Sequence, residues 1–385
     1  SDLATVRPLS RNIECEIDGN VIRFTLEEPA NLCVHAADPH QQNRVLFLYA
    51  GAPETEVPDP DDPSVHYFCG GQVHEVGCLN LEGGETLYLE GGAWVRGAIR
   101  AKNAEDITIC GPGVFDGNYF PRGTEHRQLC HLKSCRGVEV RDSLFTHFGP
   151  WTLVLSDCED VHVSNLRQIT TRGGSDGIDV VSCRNVLIED CCLRNGDDCV
   201  VIKAVDHEGD LEHRRTAVAP DVENVLVQRC VLLNSGGGSA LEIGHELRCR
   251  NVRNITFRDC DILAVHGHGA AFSINNGERA LVTDVLYEDI RVEHYYDLML
   301  SFRVMQSRYS HCPENGRVEN VCMKNIRVTQ SIFNAGYSMS VIGGLDDTHT
   351  VDGVTIEDLY FDDRKITKPT EMDLFTLHAH NIKFK

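Results

Sequence analysis

Three aspartates define the chemistry this sequence could perform. Asp176 lies in GGSDGIDV (173–180), and Asp197 and Asp198 lie in RNGDDCVVIKA (194–204). Crowded carboxylates repel, so at least one should hold a proton near neutral pH while another stays ionised. The protonated one can give its proton to a leaving oxygen and the ionised one can activate water. Those two roles cleave a glycosidic bond with inversion when roughly 6.5–9.5 Å separates the groups. The same residues carry two other readings, since Asp-Gly and Gly-Asp-Asp are ordinary turn formers and a carboxylate cluster suits calcium.

For these aspartates to meet, the chain must stack them, and a recurring pattern supplies the stacking. A turn residue, an apolar-x-apolar strand and a second short strand return as EDITICGPGVFDG (105–117), RGVEVRDSLF (136–145), EDVHVSNLRQ (159–168), RNVLIEDCCLRN (184–195), ENVLVQRCVLLN (223–234), RNITFRDCDILA (253–264), TDVLYEDIRV (283–292), ENVCMKNIRV (319–328) and DGVTIEDLYF (352–361). Their first apolar positions are 107, 138, 161, 186, 225, 255, 285, 321 and 354, so the steps run from 23 residues (138 to 161) to 39 (186 to 225). Two or three five-residue strands plus turns fit such a step, which is one coil of a parallel β-helix with variable loops. The residue before each strand is Asn185, Asn224, Asn254 or Asn320 in four copies, Asp106, Asp160 or Asp284 in three, and Gly137 or Gly353 in two. These types tolerate left-handed backbone and should form a turn ladder. A leucine-rich repeat would need a denser Leu frame and a propeller blade four strands per repeat.

On this architecture Asp176 and Asp197, 21 residues apart, fall on neighbouring coils. Asp197 and Asp198 are consecutive, and consecutive strand residues point to opposite faces. A bend at Gly196 could turn both into one groove, and Gly177 offers similar freedom beside Asp176.

Before residue 81 the pattern differs. Residues 12–17, 21–26, 31–35 and 44–50 cluster β-formers between turns such as Asp18-Gly19-Asn20, and PDPDDP (58–63) follows. The expectation is an all-β chain. A small antiparallel, sandwich-like β-domain at 1–80 precedes a right-handed parallel β-helix of about ten coils at 81–385.

The series GPW (149–151), SDG (175–177), GDDCVVIK (196–203) and ALEIG (240–244) resembles, in order and spacing, the motifs of the polygalacturonase family, glycoside hydrolase family 28, and of the related dextranase family 49. Repeat-level resemblance covers about residues 85–365. Both families are right-handed parallel β-helices that hydrolyse polysaccharides with inversion, and the N-terminal segment looks more like the dextranase group. The resemblance implies that Asp197 is the general acid, that Asp176 and Asp198 activate water, and that Lys203 is structural. Two departures stand out. Ser239 occupies the place of a histidine and Glu242 that of a serine in GSALEIG, and Ser273-Ile274-Asn275 replaces the Arg-Ile-Lys that binds a uronate carboxylate. A uronate would then set its charge beside three Asp residues uncompensated. A neutral glycan follows, or an acidic one gripped by Arg248 or Arg303.

Trp151, Glu242, His245, Asn275 and Arg303 are the expected substrate contacts, with Glu246 and the Tyr295-Tyr296 pair near the groove. His266-Gly-His268 invites a metal reading that lacks an acidic partner at defined spacing. No metal and no cofactor are expected, because hydrolysis needs neither. The alternatives are a polysaccharide lyase or epimerase on the same fold, with a Lys, Arg or His base and usually calcium, and a non-catalytic carbohydrate-binding solenoid.

Composition bounds the rest. The 385 residues carry 58 Asp+Glu against 36 Lys+Arg, a net charge of −22, which repels a phosphate backbone and excludes nucleic acid as the expected partner. No run of about 18 apolar residues marks a membrane span, and SDLATVRPLSRN lacks the apolar core of a signal peptide. The 17 cysteines are an odd number, with Cys158, Cys183, Cys230 and Cys260 at equivalent places in short strands. This pattern suits buried reduced thiols and hence a cytoplasmic location, with secretion as the alternative. An exposed solenoid edge or the N-terminal domain could pair copies of the chain.

Overall fold

The structure is a computed structural model that describes residues 4–35, 45–120, 128–146, 149–205, 216–329 and 338–385. Among these, strands dominate and only short 3-10 turns accompany them, so no helix is long and apolar enough to cross a membrane. Successive coils pair in parallel, each strand bonding to its counterpart one coil away. The nine first-apolar positions fall in a single register column: Ile107 pairs with Val138, and the column continues through Val161, Val186, Val225, Ile255, Val285 and Val321 to Val354. All nine are at most 3% exposed. Burial of that kind is worth about 1.5–3 kcal/mol per aliphatic side chain, which locks the register, because a one-residue slip would turn the whole column to solvent.

The turn ladder follows the same register. All nine pre-strand residues, from Asp106 to Gly353, have φ between 52° and 72°. Their side chains bond from coil to coil: Asn185 donates to Asp160 at 3.0 Å, Asn224 to Asn185 at 3.0 Å and Asn254 to Asn224 at 3.1 Å. Inside, Phe257, Tyr287 and Phe302 stack with centroid spacings of 5.0 and 5.7 Å. All 17 cysteines are free thiols. The equivalent cysteines resolve into two columns, one holding Cys158 and Cys183 and the other Cys230 and Cys260, in which hydrogen bonding between thiols and burial hold Cys230 and Cys260 well above the ordinary thiol range.

The N-terminal segment forms a three-stranded antiparallel sheet (Thr5–Arg7, Ala30–His35, Val45–Ala50) and a hairpin (Glu16–Asp18, Val21–Arg23) around the Gly19-Asn20 turn. Cys33 packs against Leu233, Leu263 and Ala264 of the solenoid, and a buried Arg7–Glu293 pair seals the junction. The parallel ladder starts at Val65–Phe68 and Val73–Leu81, upstream of the boundary expected at 81. Gly83-Gly84 is a turn inside the coils, where Gly84 N–H donates to Glu105 O at 2.8 Å. The transition falls instead at the proline-rich 58–63 segment, whose prolines lack the N–H a ladder needs.

Asn224→Ala should lower stability by about 1–3 kcal/mol, since it places a Cβ residue without a compensating side-chain bond in left-handed backbone. Asn224→Gly should lose less, because only the ladder bonds go. Guanidinium unfolding midpoints of the two variants check this ordering.

Candidate active site

The outward side of one strand row forms the floor of a groove. Asp179, Val201, Glu242, Ser273 and Ser301 follow one another in register, of which Glu242 reaches the cleft and Asp179 stays buried beneath it, and beside them Gly244, Asn275 and Arg303 form a second column. The three aspartates rise from the turns that enter this row. Asp176 precedes Ile178–Val181, and Asp197 and Asp198 precede Val200–Ala204, whose first residues Ile178 and Val200 are paired. The chain bends at Gly196-Asp197, so strand alternation does not apply and both carboxylates enter the groove. Gly196 and Gly177 serve by close packing, where conformational freedom was the sequence expectation. A Cβ on Gly196 would lie 2.3 Å from Arg172 O, and one on Gly177 would lie 2.3 Å from Cys199 O. Neither has a positive φ.

One cleft of about 580 Å³ is lined by all eight expected residues: Asp176, Asp197, Asp198, Trp151, Glu242, His245, Asn275 and Arg303. The volume suits a small-molecule or short-glycan site. Oxygens of Asp176, Asp197 and Asp198 lie within 4.8 Å of one another. Backbone donors fix them. Asp197 Oδ2 accepts from Gly174 N–H at 3.1 Å, its Oδ1 from Asp198 N–H at 3.1 Å, and Asp198 Oδ1 from Ser239 N–H at 2.6 Å. Burial, reinforced by Glu242, Asp176 and Asp197, pushes Asp198 well above the carboxylate range. Burial also raises Asp176, with Lys203 opposing and Asp179 and Asp197 adding to it.

Lys203 Nζ donates to Asp176 Oδ2 at 2.8 Å and to Asp179 Oδ1 at 2.9 Å, with the Trp151 ring centroid 3.9 Å away. Burial opposes its charge, but Asp176 and Asp179 outweigh that and hold the ammonium well above its usual range. Asp179 is fully buried and pushed up to about 6 by that burial. The Lys203 ammonium, bonded to Asp176 Oδ2, disfavours a second cation there by like-charge repulsion and by occupying one of the six carboxylate oxygens of the trio. Trp151 gives one ring face to Lys203, which removes that face from sugar stacking.

Further along the floor, Asn275 Nδ2 donates to both Glu242 oxygens at 3.0 and 3.3 Å, and Arg303 donates to Asn275 Oδ1 at 3.3 Å and to Ser301 Oγ at 3.1 Å. Burial lowers the Arg303 guanidinium, with Glu242 opposing. His245 lies 5.4 Å from the Tyr309 ring. Arg248 is not a groove residue: it is 2% exposed and paired with buried Glu278 at 3.3 Å. Tyr295 packs into the core and Tyr296 against the His266 ring, whereas His268 lines the cleft, so His266 and His268 diverge. Sequence reading missed Asp179, Arg308 and Tyr309. Outward alternation from Ile178 marks Asp179; the length of 305–318 between repeats marks a groove-closing loop, from which Arg308 and Tyr309 line the cleft, but not which of its residues do so. Of the loop 204–222, residues 206–215 lie outside the described residues.

Gly238 (φ 65°) leaves room for both carboxylates, since a Cβ there would lie 2.4 Å from Asp197 Oδ1 and 2.5 Å from Asp198 Oδ1. Gly238→Ala should therefore displace them and lower kcat about 100-fold, the scale of an ångström-sized misplacement, while circular dichroism stays native.

Comparison with known proteins follows the same lines. The chain is 24% identical over 251 residues to polygalacturonase QRT2 of Arabidopsis thaliana, covering 60% of this chain and 52% of the relative. It thus spans about half the length of the curated relatives it matches. An exopolygalacturonase from Thermotoga maritima superposes with a TM-score of 0.56 at 18% identity over 83% of each chain. Dex49A from Penicillium minioluteum does so with 0.59 at 10% identity, over 99% of this chain and 78% of that one. These two likenesses show the parallel β-helix fold. The model of glycosyl hydrolases family 28 matches residues 72–300, more than half of the sequence and all three groove aspartates, and the chain belongs to that family.

Proposed function

We propose that the protein hydrolyses O-glycosidic bonds of an oligo- or polysaccharide with inversion, and that its substrate is a neutral glycan. The observation that carries the hydrolytic reading is the convergence of Asp176, Asp197 and Asp198 within 4.8 Å in a cleft of about 580 Å³. Asp197 protonates the leaving oxygen, while Asp176 and Asp198 hold and activate the water. One oxygen from each aspartate belongs to a set lying within 4.8 Å, tighter than the roughly 6.5–9.5 Å of inverting pairs, so the inverting outcome rests on the family resemblance and not on this separation.

The cleft chemistry supports the substrate class. Five carboxylates line it (Asp176, Asp197, Asp198, Glu242 and Glu246), Lys203 is committed to Asp176 and to buried Asp179, and Arg303 is engaged by Asn275 and Ser301. Hydroxyls can donate to these carboxylates, whereas a uronate would add a charge of the same sign. The names of the relatives favour a second reading, a uronate held by Arg303 and by Arg308 beside Tyr309. Electrostatics also favour a second assignment of the proton, to Asp198, which burial and Glu242 raise. The 17 free thiols support a reducing compartment, which alkylation of the protein in intact cells tests by complete labelling after denaturation without reductant.

The function is tested by incubating wild type and Asp197→Asn with neutral and uronic oligosaccharides, following reducing ends and, by proton NMR, the first anomer released. The expected result is release of the inverted anomer from a neutral glycan and a loss of about 10²–10⁴-fold in the variant. Unsaturated products absorbing in the ultraviolet would replace the hydrolase by a lyase, and binding without cleavage would replace it by a carbohydrate-binding solenoid.

The proton is assigned by pH profiles. Activity that needs a protonated acid declines as pH rises through its pKa, so the variant lacking the acid loses that basic limb. Loss of the limb in Asp197→Asn supports Asp197, and loss only in Asp198→Asn moves the role to Asp198.

A further inference from the structure

Asp176 shares its cation with a second acid. Lys203 lies 2.8 Å from Asp176 Oδ2 and 2.9 Å from Asp179 Oδ1. Asp179 is 0% exposed and is not part of the cleft lining; no N–H donor among the described residues reaches its Oδ2, and its carboxyl lies within hydrogen-bonding reach of the Asp176 carboxyl itself. Trp151 closes the ammonium from above at 3.9 Å. It does so from left-handed backbone (φ 56°), which a bulky residue adopts only where its surroundings enforce it, and its N–H donates to Gly174 O at 2.9 Å.

A buried carboxylate with no N–H donor at one oxygen is costly. The fold does not call for it, because the register partners of Asp179 on the adjacent coils are Val154 and Val201. Lys203 with Asp176 alone would already be a neutral pair. The second acid therefore acts on the first.

We propose that Asp179 is a positioning residue for the hydrolysis: by drawing the Lys203 ammonium partly to itself, it keeps Asp176 anchored yet basic enough to take a proton from the attacking water. The inference rests on Asp176 being a water-activating base. Asp197 and Asp198 face this unit from the neighbouring turn and Glu246 from Leu241–Leu247. Asp179 and Asp197 make Asp176 harder to ionise, and Lys203 makes it easier. Neutralising Asp179 therefore lets Asp176 ionise at lower pH, and removing Lys203 makes it ionise at higher pH.

The test measures kcat and KM against pH for wild type, Asp179→Asn and Lys203→Met on the glycan the wild type cleaves. The acid limb, set by the base, should move down by about one pH unit in Asp179→Asn and up by about one in Lys203→Met, in line with the effect of a single nearby charge. KM should stay within about twofold, since Asp179 does not line the cleft, and kcat at the optimum should fall in both. Asp179→Ser serves if Asp179→Asn does not fold.

Infrared titration of the carboxyl band, assigned against Asp176→Asn, reads the same ionisation without turnover. Limbs that stay in place, or that move in the same direction, overturn the inference even if activity falls. If the wild type cleaves nothing, the hydrolytic reading fails, and the infrared shifts alone decide whether Asp179 tunes Asp176.

Discussion

The in-register stacking of parallel coils is the constraint on which every other feature depends. Each coil contributes one aliphatic residue to a common column, and a coil shifted by one residue would expose its core face. The left-handed ladder of Asn, Asp and Gly turns every coil at the same corner and ties it to the next by side-chain bonds. Loops can then vary in length without disturbing the strands. The 39-residue step from 186 to 225, in which Val186 and Val225 still pair, shows that freedom directly.

Such a scaffold places residues distant in sequence at neighbouring coil spacing, and the active site exploits this at an electrostatic cost. Asp176, Asp197 and Asp198 crowd together, and Glu242 stands beside them on the next coil. Backbone N–H donors from Gly174, Asp198 and Ser239 orient two of the acids, and the single ammonium of Lys203 compensates a third. Low dielectric makes that compensation strong, and it leaves the site unable to neutralise all its charge at once. Proton exchange between water and sugar is the chemistry such a partly compensated cluster suits.

Family membership and substrate choice are carried by different parts of the molecule. The aspartates and the coil that bears them belong to glycosyl hydrolases family 28. Downstream on the floor, Glu242, Asn275, Ser301 and Arg303 are joined by hydrogen bonds through Asn275. A solenoid of this kind can keep its fold while the side chains on such a floor change, because they do not contribute to the aliphatic core.

The repeat, the ladder positions and the three aspartates were legible in the sequence, because a solenoid converts local periodicity directly into spatial columns. Glu242 and Asn275 stand out by comparison with the family motifs, and all of Glu242, Asn275 and Arg303 line the cleft. What failed was information carried by partners far along the chain. Arg248 reads as a free cation until Glu278 is seen beside it, and Trp151 lines the cleft as expected but with one ring face given to Lys203. The start of the solenoid reads as 81 because the local pattern changes there, whereas Val65–Phe68 and Val73–Leu81 already pair in parallel with the coils. Sequence by itself determined which residues stack, since burial of an aliphatic column is a local pattern repeated. Only the tertiary structure decided which charges share a cation, because Coulomb interactions depend on distance through space, and that distance is fixed by coils 20 to 40 residues apart.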